Sequence, residues 1–196
     1  LALTIAALLV FGLVMISSAS IVNSYETFGY NNFYLYRQMG FAIIGLIGLF
    51  VAQSMHYHWL RKIAVPFFII TILLNIIVFI PGIGFSHGGA TRWINLGFFL
   101  LQPSEILKLA LIIFLADWFE KRRGDISSLR VVFLPFIGIL VGVATIMLKQ
   151  PDMGTFMVIA AFSTIMYFIA GARPAHIGIL FLGGIIGVAA LIKAAP

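Results

Sequence analysis

The stretch VVFLPFIGILVGVATIML, residues 131–148, decides the fold class, because it holds no charged side chain over 18 consecutive positions. An apolar run of about 18 residues or more is long enough to cross a bilayer as a helix. The whole chain is 62% hydrophobic and 9% charged, whereas soluble domains carry roughly a quarter charged residues. So few charges cannot cover a water-exposed surface, so lipid must cover much of this protein.

Further apolar runs lie on both sides of this stretch. The predicted helices span about 1–19, 39–55, 63–80, 105–119, 131–149, 154–171 and 176–194. The runs are continuous and do not alternate with period two, which favours helices over the strands of a membrane barrel. The sequence therefore predicts an all-α integral membrane protein, a polytopic bundle of about seven transmembrane helices.

Two of the predicted loops are unusual. Residues 20–38 are rich in Tyr, Asn and Phe, which is typical of a segment at the membrane interface. Residues 81–104 form a long, Gly-rich loop with apolar patches of its own. Non-helical backbone near membrane depth must be buried in protein or line a cavity. We therefore expect this loop to fold back onto the protein.

Basic residues in the loops predict the orientation, because cytoplasmic loops carry an excess of Lys and Arg. Seven lie on one side: Arg61, Lys62, Lys121, Arg122, Arg123, Arg130 and Arg173. Three lie on the other: Arg37, Arg92 and Lys149. The first side is predicted to be cytoplasmic, with the N-terminus inside. Orientation therefore explains the net charge of +6 better than nucleic-acid binding does.

The chain offers little for metal binding. It has no cysteine, which excludes disulfides and thiolate sites. Its four histidines are scattered, and His56 and His58 are interpreted as interfacial loop residues rather than ligands.

Charged residues within or beside membrane helices are costly, so each is a candidate functional residue. Glu105 and Lys108 lie three apart, on one face at the start of the fourth predicted helix. They are interpreted either as an ion pair that anchors the helix end or as a pair lining an outward cavity. Asp117 and Glu120, at the inner end of the same helix, are predicted to form solvated pairs.

Arg92 and Asp152 complete the predicted outer group. Arg92 precedes Trp93 in the Gly-rich loop, where it either anchors the loop at the interface or binds a phosphate with its planar fork. Asp152 either caps the sixth predicted helix or presents a carboxylate to an outer cavity. The residues themselves predict a polar outward cavity that suits a lipid-linked anionic substrate.

Three motifs carry a resemblance to a known family. They are GGATRWINLG at residues 88–97, QPSE at 102–105 with Lys108, and QPDMGT at 150–155. Ser17–Ser20 and Arg37-Gln38 also fit. In this order and spacing the chain resembles the SEDS family (shape, elongation, division and sporulation), which includes FtsW, RodA and SpoVE. The stretch 14–20 and Ala90-Thr91-Arg92 look more like the division branch, FtsW.

The resemblance implies a single domain of about ten membrane helices, of which residues 1–196 match the N-terminal part. It implies a peptidoglycan glycosyltransferase that polymerises lipid II at the outer face of the bacterial cytoplasmic membrane. It also implies a class B penicillin-binding protein, other division or elongation proteins and membrane lipid as partners, and no nucleic acid. Arg92, Glu105, Lys108 and Asp152 are the expected substrate-binding residues.

The same resemblance places the family's key catalytic aspartate in an outer loop beyond residue 196. Asp152 matches a different aspartate, with a supporting role. No cofactor is required by the sequence, and a divalent cation remains open. Two other functions stay open as well: a lipid II flippase and a non-enzymatic scaffold of the division machinery. Helices 1, 2, 3, 5 and 6 of the prediction lack ionisable residues at mid-depth, which disfavours a charged transport path.

Overall fold

The computed structural model describes residues 2–87, 90–97 and 99–194. Gly88, Gly89 and Phe98, all in the Gly-rich loop, lie outside the described residues. The chain divides into two compact units, residues 1–56 and 57–196.

The first unit contains three helices. They are α1 (Ala2–Ala19), α2 (Ile21–Phe28) and α3 (Phe33–Ser54). Helix α1 packs against α3, and neither has a buried residue. Their apolar side chains are therefore exposed, as lipid-facing side chains are. Ser24 joins α2 to α3, because its hydroxyl donates to the Tyr30 carbonyl at 2.8 Å and accepts from the Phe33 N–H at 3.1 Å.

The second unit contains five helices and a small sheet. The elements are α4 (Tyr57–Ile77), β1 (Gly84–His87), β2 (Ala90–Asn95), β3 (Leu100–Leu101), α5 (Pro103–Lys121), α6 (Leu134–Lys149), α7 (Met153–Ile169) and α8 (Pro174–Ala194). One π-helical turn, Leu129–Phe133, leads into α6. The strands form an antiparallel sheet in the order β1-β2-β3.

The core of this unit is a stripe on α5 packed against α6 and α7. Leu107, Leu111, Leu115 and Phe119 recur every four residues, so they share one helix face. Phe136, Leu140, Val143 and Met147 of α6, together with Ile159 and Tyr167 of α7, close over that stripe. Helix α4 packs on the other side of α5, where the Phe68 and Phe114 rings stack 4.6 Å apart.

All seven predicted helices are present, and the all-α membrane fold class is confirmed. Among the described residues, four helical segments are long and apolar enough to cross a membrane: Ala2–Ala19, Phe33–Ser54, Tyr57–Ile77 and Leu129–Lys149. Met153–Ile169 and Pro174–Gly187 are apolar but shorter. Helix α5 carries five charged residues near its two ends. The number of helices that cross the membrane therefore stays a prediction for α5, α7 and α8.

Two boundaries and two connections differ from the prediction. Helices α3 and α4 each begin six residues before their predicted starts, at Phe33 and Tyr57. Polar side chains at a helix end can reach the interface without breaking the helix. A prediction from hydrophobicity alone therefore starts these two helices too late. His58 consequently lies in the first turn of α4, not in a loop. The short helix α2 and the three-stranded sheet were not predicted.

Candidate functional site

One end of the second unit is polar. Strand β2, the first turn of α5 and the α6–α7 turn (Gln150–Asp152) meet there, and we call this the hairpin end. The described parts of the three motifs on which the family resemblance rests lie in or beside these segments, as do Arg92, Glu105 and Asp152, and Lys108 lies in the second turn of α5.

Arg92 projects from β2 onto the α6–α7 turn. Its Nε donates to the Gln150 carbonyl at 2.9 Å, and its Nη2 donates to the Pro151 carbonyl. Its Nη1 lies 3.8 Å from Asp152 Oδ1 in an ion pair. Cations are favoured beside the free carbonyl groups at a helix C-terminus, such as that of α6. The structure thus gives Arg92 a bracing contact between the sheet and the turn, and its predicted phosphate contact remains a prediction.

Asp152 is both a helix cap and a charge partner. Its Oδ1 accepts from the Thr155 N–H at 3.4 Å, as the N-cap of α7. Its Oδ2 accepts from Gln102 Nε2 at 3.3 Å. The side chain is 7% exposed, so the negative charge is largely shielded from solvent. The predicted cap is present, and the same carboxylate is paired with Arg92; its predicted exposure to an outer cavity remains a prediction.

Buried amides connect this turn to α4. Gln150 Nε2 donates to the Asn75 carbonyl at 2.9 Å, and Asn75 Nδ2 donates to the Thr71 carbonyl at 2.8 Å. Gln150, Asn75, Thr71 and Ser104 are all buried. Gln150 was predicted only as part of a motif, and Asn75 was not predicted. An asparagine inside the apolar run ITILLNIIVF, residues 70–79, was the available signal.

Glu105 and Lys108 form the predicted ion pair. Lys108 Nζ lies 2.9 Å from Glu105 Oε1, and the two side chains are 27% and 57% exposed, respectively. The pair begins one turn after Gln102, since the Glu105 N–H donates to the Gln102 carbonyl at 3.1 Å. Within the described part of the chain, no hydrogen bond or ion pair joins it directly to Arg92 or Asp152. The pairing is confirmed, and its role in substrate binding remains a prediction.

The opposite end of the unit corrects one prediction. Asp117 is not solvated: its side chain is 5% exposed and lies between two cations. Arg61 Nε is 3.1 Å from its Oδ1, and Lys121 Nζ is 2.5 Å from its Oδ2. Arg61 comes from α4, so the packing of α4 on α5 buries this carboxylate. Glu120, also paired with Arg61 at 3.1 Å, is exposed as expected.

The described residues offer no clustered set of metal ligands. They contain no group of three or more His, Asp or Glu that could hold one. At the hairpin end, Asp152 is the buried carboxylate, and its two oxygens already face Arg92, the Thr155 N–H and Gln102. A guanidinium beside a carboxylate disfavours a metal ion there, because like charges repel.

The N–H donors of Lys108 indicate what kind of ligand the hairpin end can bind. The Lys108 ammonium has three N–H donors, and its described contacts use one of them, on Glu105. The other two can meet phosphate oxygens. Arg92 and Asp152 join the sheet to the α6–α7 turn, and Gln102 joins that turn to the start of α5. The arrangement suits an anionic headgroup rather than an apolar ligand.

Sequence comparison assigns the chain to a family. The model of the FtsW, RodA and SpoVE family, described as cell cycle proteins, matches residues 1–196. The chain belongs to this family. The predicted resemblance is thereby confirmed over the whole sequence.

Individual members show how much of the family architecture is present. The chain is 42% identical over 171 residues to a probable peptidoglycan glycosyltransferase FtsW of Trichlorobacter lovleyi, covering 87% of the chain and 45% of that protein. It is 39% identical over 189 residues to stage V sporulation protein E of Bacillus subtilis, covering 96% and 52%. The chain spans about half the length of these curated relatives.

Solved structures agree with the fold. The crystal structure of the rod shape determining protein RodA of Thermus thermophilus has a TM-score of 0.69 and 28% identity, over 93% of this chain and 58% of that one. A chain from a peptidoglycan synthase complex, solved to explain the structural coordination of polymerization and crosslinking, has a TM-score of 0.66 and 28% identity, over 95% and 53%. RodA is one of the proteins for which the matched family is named.

Proposed function

We propose that the full-length protein is a peptidoglycan glycosyltransferase that polymerises lipid II, and that this chain supplies the part of its site that holds the headgroup. Family membership supports the reaction, since curated relatives about 40% identical are named probable peptidoglycan glycosyltransferases. The observation that carries the role of this chain is the partly exposed Lys108, paired with Glu105 on the helix whose preceding residue, Gln102, donates to Asp152.

The reaction joins a sugar hydroxyl to an anomeric carbon and releases a polyprenyl pyrophosphate. A positioned carboxylate must take the hydroxyl proton, and we place that base beyond residue 196. The departing pyrophosphate gains negative charge, which fixed cations stabilise. Lys108 is our proposed contact for that group, with Arg92 and Asp152 as positioning residues. Glu105 orients the ammonium.

The proposed function includes an orientation in the membrane, a partner protein and a cellular process. The loop charges support a proposed orientation with the N-terminus and the Arg61–Asp117 end in the cytoplasm and the hairpin end at the outer face of the bacterial cytoplasmic membrane. A class B penicillin-binding protein is the proposed partner, because a structural neighbour belongs to a complex that coordinates polymerization with crosslinking. The division branch is the proposed setting, since FtsW proteins are among the relatives.

The test is lipid II polymerisation by the purified full-length protein with its penicillin-binding partner. Lys108→Gln should lose most of the activity, because the ammonium charge that meets the pyrophosphate is gone. Lys149→Gln is the matched control, since Lys149 is an exposed lysine at the end of α6, in the same part of the unit. Polymerisation by Lys108→Gln at the wild-type rate would contradict the assigned contact.

The two other functions give different results in parallel assays. A flippase would move lipid II across liposomes without forming polymer. A scaffold would bind its partners and show neither activity. Ionisable groups among the described residues lie towards the ends of the long helices, which offers no charged path for transport.

A further inference from the structure

A second surface, at the opposite end of the unit, combines an apolar groove with a basic rim. The groove, of about 380 Å³, lies between the last turns of α5 and α7 and we call it the α5–α7 groove. Its apolar wall is formed by Ala116, Phe119, Met166, Ile169 and Ala170. Glu120 and Arg123 complete the lining.

The charges on this rim are not equivalent. Glu120 lies 3.1 Å from Arg61, which offsets its negative charge. Lys121 is committed to Asp117, and Arg122 lies over the Trp118 ring at 4.7 Å. Arg123 is exposed, and the described residues give its side chain no hydrogen bond or ion pair. The mouth of the groove therefore presents an uncommitted guanidinium.

The surroundings reinforce this positive charge. The turns and helix ends on this side of the unit carry seven basic and three acidic residues. The basic ones are Arg61, Lys62, Lys121, Arg122, Arg123, Arg130 and Arg173, and the acidic ones are Asp117, Glu120 and Asp125. An anion approaching Arg123 thus meets a net positive field.

We propose that the α5–α7 groove binds an anionic phospholipid, with the headgroup phosphate on Arg123 and an acyl chain along the apolar wall. A guanidinium binds phosphate oxygens in pairs, and basic pockets between membrane helices recognise anionic headgroups. The groove supplies both halves of such a ligand in one place. This site is independent of the proposed glycosyltransferase activity.

The test uses the full-length protein in nanodiscs or native mass spectrometry, with phosphatidylglycerol and with phosphatidylcholine of the same acyl chains as probes. Arg123→Gln should weaken phosphatidylglycerol binding about fivefold, which corresponds to about 1 kcal/mol for one basic side chain near an anionic surface. Phosphatidylcholine carries the same phosphate but no net charge, so its binding should fall less. Arg130→Gln, which removes an exposed arginine outside the groove, is the control and should bind like wild type.

A second variant tests the apolar half. Ala116→Leu keeps the charge and the helix propensity but fills part of the groove, so it should reduce binding of both lipids. If Arg123 serves only as a cation at the end of α5, Arg123→Gln will lower the melting temperature equally in both lipids and leave phosphatidylglycerol binding intact. That result, or an equal loss in Arg130→Gln, would overturn the proposal.

Discussion

Replacing Asp152 by Asn separates the two roles that this carboxylate combines. Asn supplies the same oxygen to the Thr155 N–H and is as good an N-cap as Asp. It removes the charge that lies 3.8 Å from the Arg92 guanidinium. Ala at the same position removes both the cap and the charge. The difference between the two variants therefore isolates the cap.

The expected magnitude can be worked from the geometry. Two unit charges about 4 Å apart attract by about 4 kcal/mol at an effective dielectric constant near 20. The net effect is smaller, because the Arg92 side chain is 32% exposed and keeps its two backbone acceptors. We expect Asp152→Asn to cost about 1–2 kcal/mol after solvent screening. Asp152→Ala should cost about 1 kcal/mol more for the lost cap.

The assay is thermal unfolding of the purified full-length protein, followed by lipid II polymerisation. The relatives are about twice as long as this chain, and the entropy of unfolding grows with length, so a loss of 1–2 kcal/mol predicts a melting temperature lower by about 1–3 °C. The folded Asp152→Asn protein should still lose most of its polymerase activity, since the turn that Arg92 braces is no longer held by a charge. Asp125→Asn, an exposed aspartate at the opposite end, is the matched control.

A double-mutant cycle decides whether the pair acts as a unit. Arg92→Gln and Asp152→Asn should be non-additive, because each removes the same interaction. If the melting-temperature shifts of the two substitutions add, and Asp152→Asn polymerises like wild type, the reasoning is refuted and Asp152 is a cap alone.

Three further predictions concern the rest of the second unit and its orientation. The double variant Glu105→Lys with Lys108→Glu keeps an ion pair but moves the ammonium, so it should fold and lose polymerisation; full activity would show that the pair is only structural. Asp117→Asn should destabilise the protein by about 1–3 kcal/mol, because Arg61 and Lys121 lose the buried carboxylate between them, whereas Glu120→Gln should have a smaller effect on the melting temperature. Single cysteines at Ser86 and Ser127 should react with impermeant reagents from the outside and the inside of the cell, respectively, and labelling of Ser127 from outside would overturn the topology.

The sequence predicts well the features that depend only on the local chain and on the surrounding bilayer. The run at 131–148 has no alternative to a helix, because backbone groups in lipid must be paired within the segment. The Glu105–Lys108 pair was predictable for a similar reason, since residues three apart on a helix are neighbours wherever the helix lies. Both inferences need only the local chain.

The contacts that shape the hairpin end are long-range, and this is why they were missed. Arg92 and Gln150 are 58 residues apart, and Gln150 and Asn75 are 75 apart. Their approach depends on the packing of α4 and α6 and on a sheet whose register no local pattern specifies. The prediction that Asp117 is solvated was wrong for the same reason. Its burial requires Arg61 of the preceding helix, which the predicted boundary at residue 63 had placed in a loop.

Gln150 shows how these contacts make one polar unit out of separate segments. Its side chain reaches the Asn75 carbonyl on α4, while its own carbonyl accepts from Arg92 on β2. Two residues later, Asp152 meets Arg92 again and also Gln102, which precedes α5. Gln150 thus ties α4 to the α6–α7 turn, and Gln102 ties that turn to the start of α5, whose second turn carries Lys108. A buried glutamine with no charge of its own therefore links α4 to both segments that carry the Arg92–Asp152 ion pair.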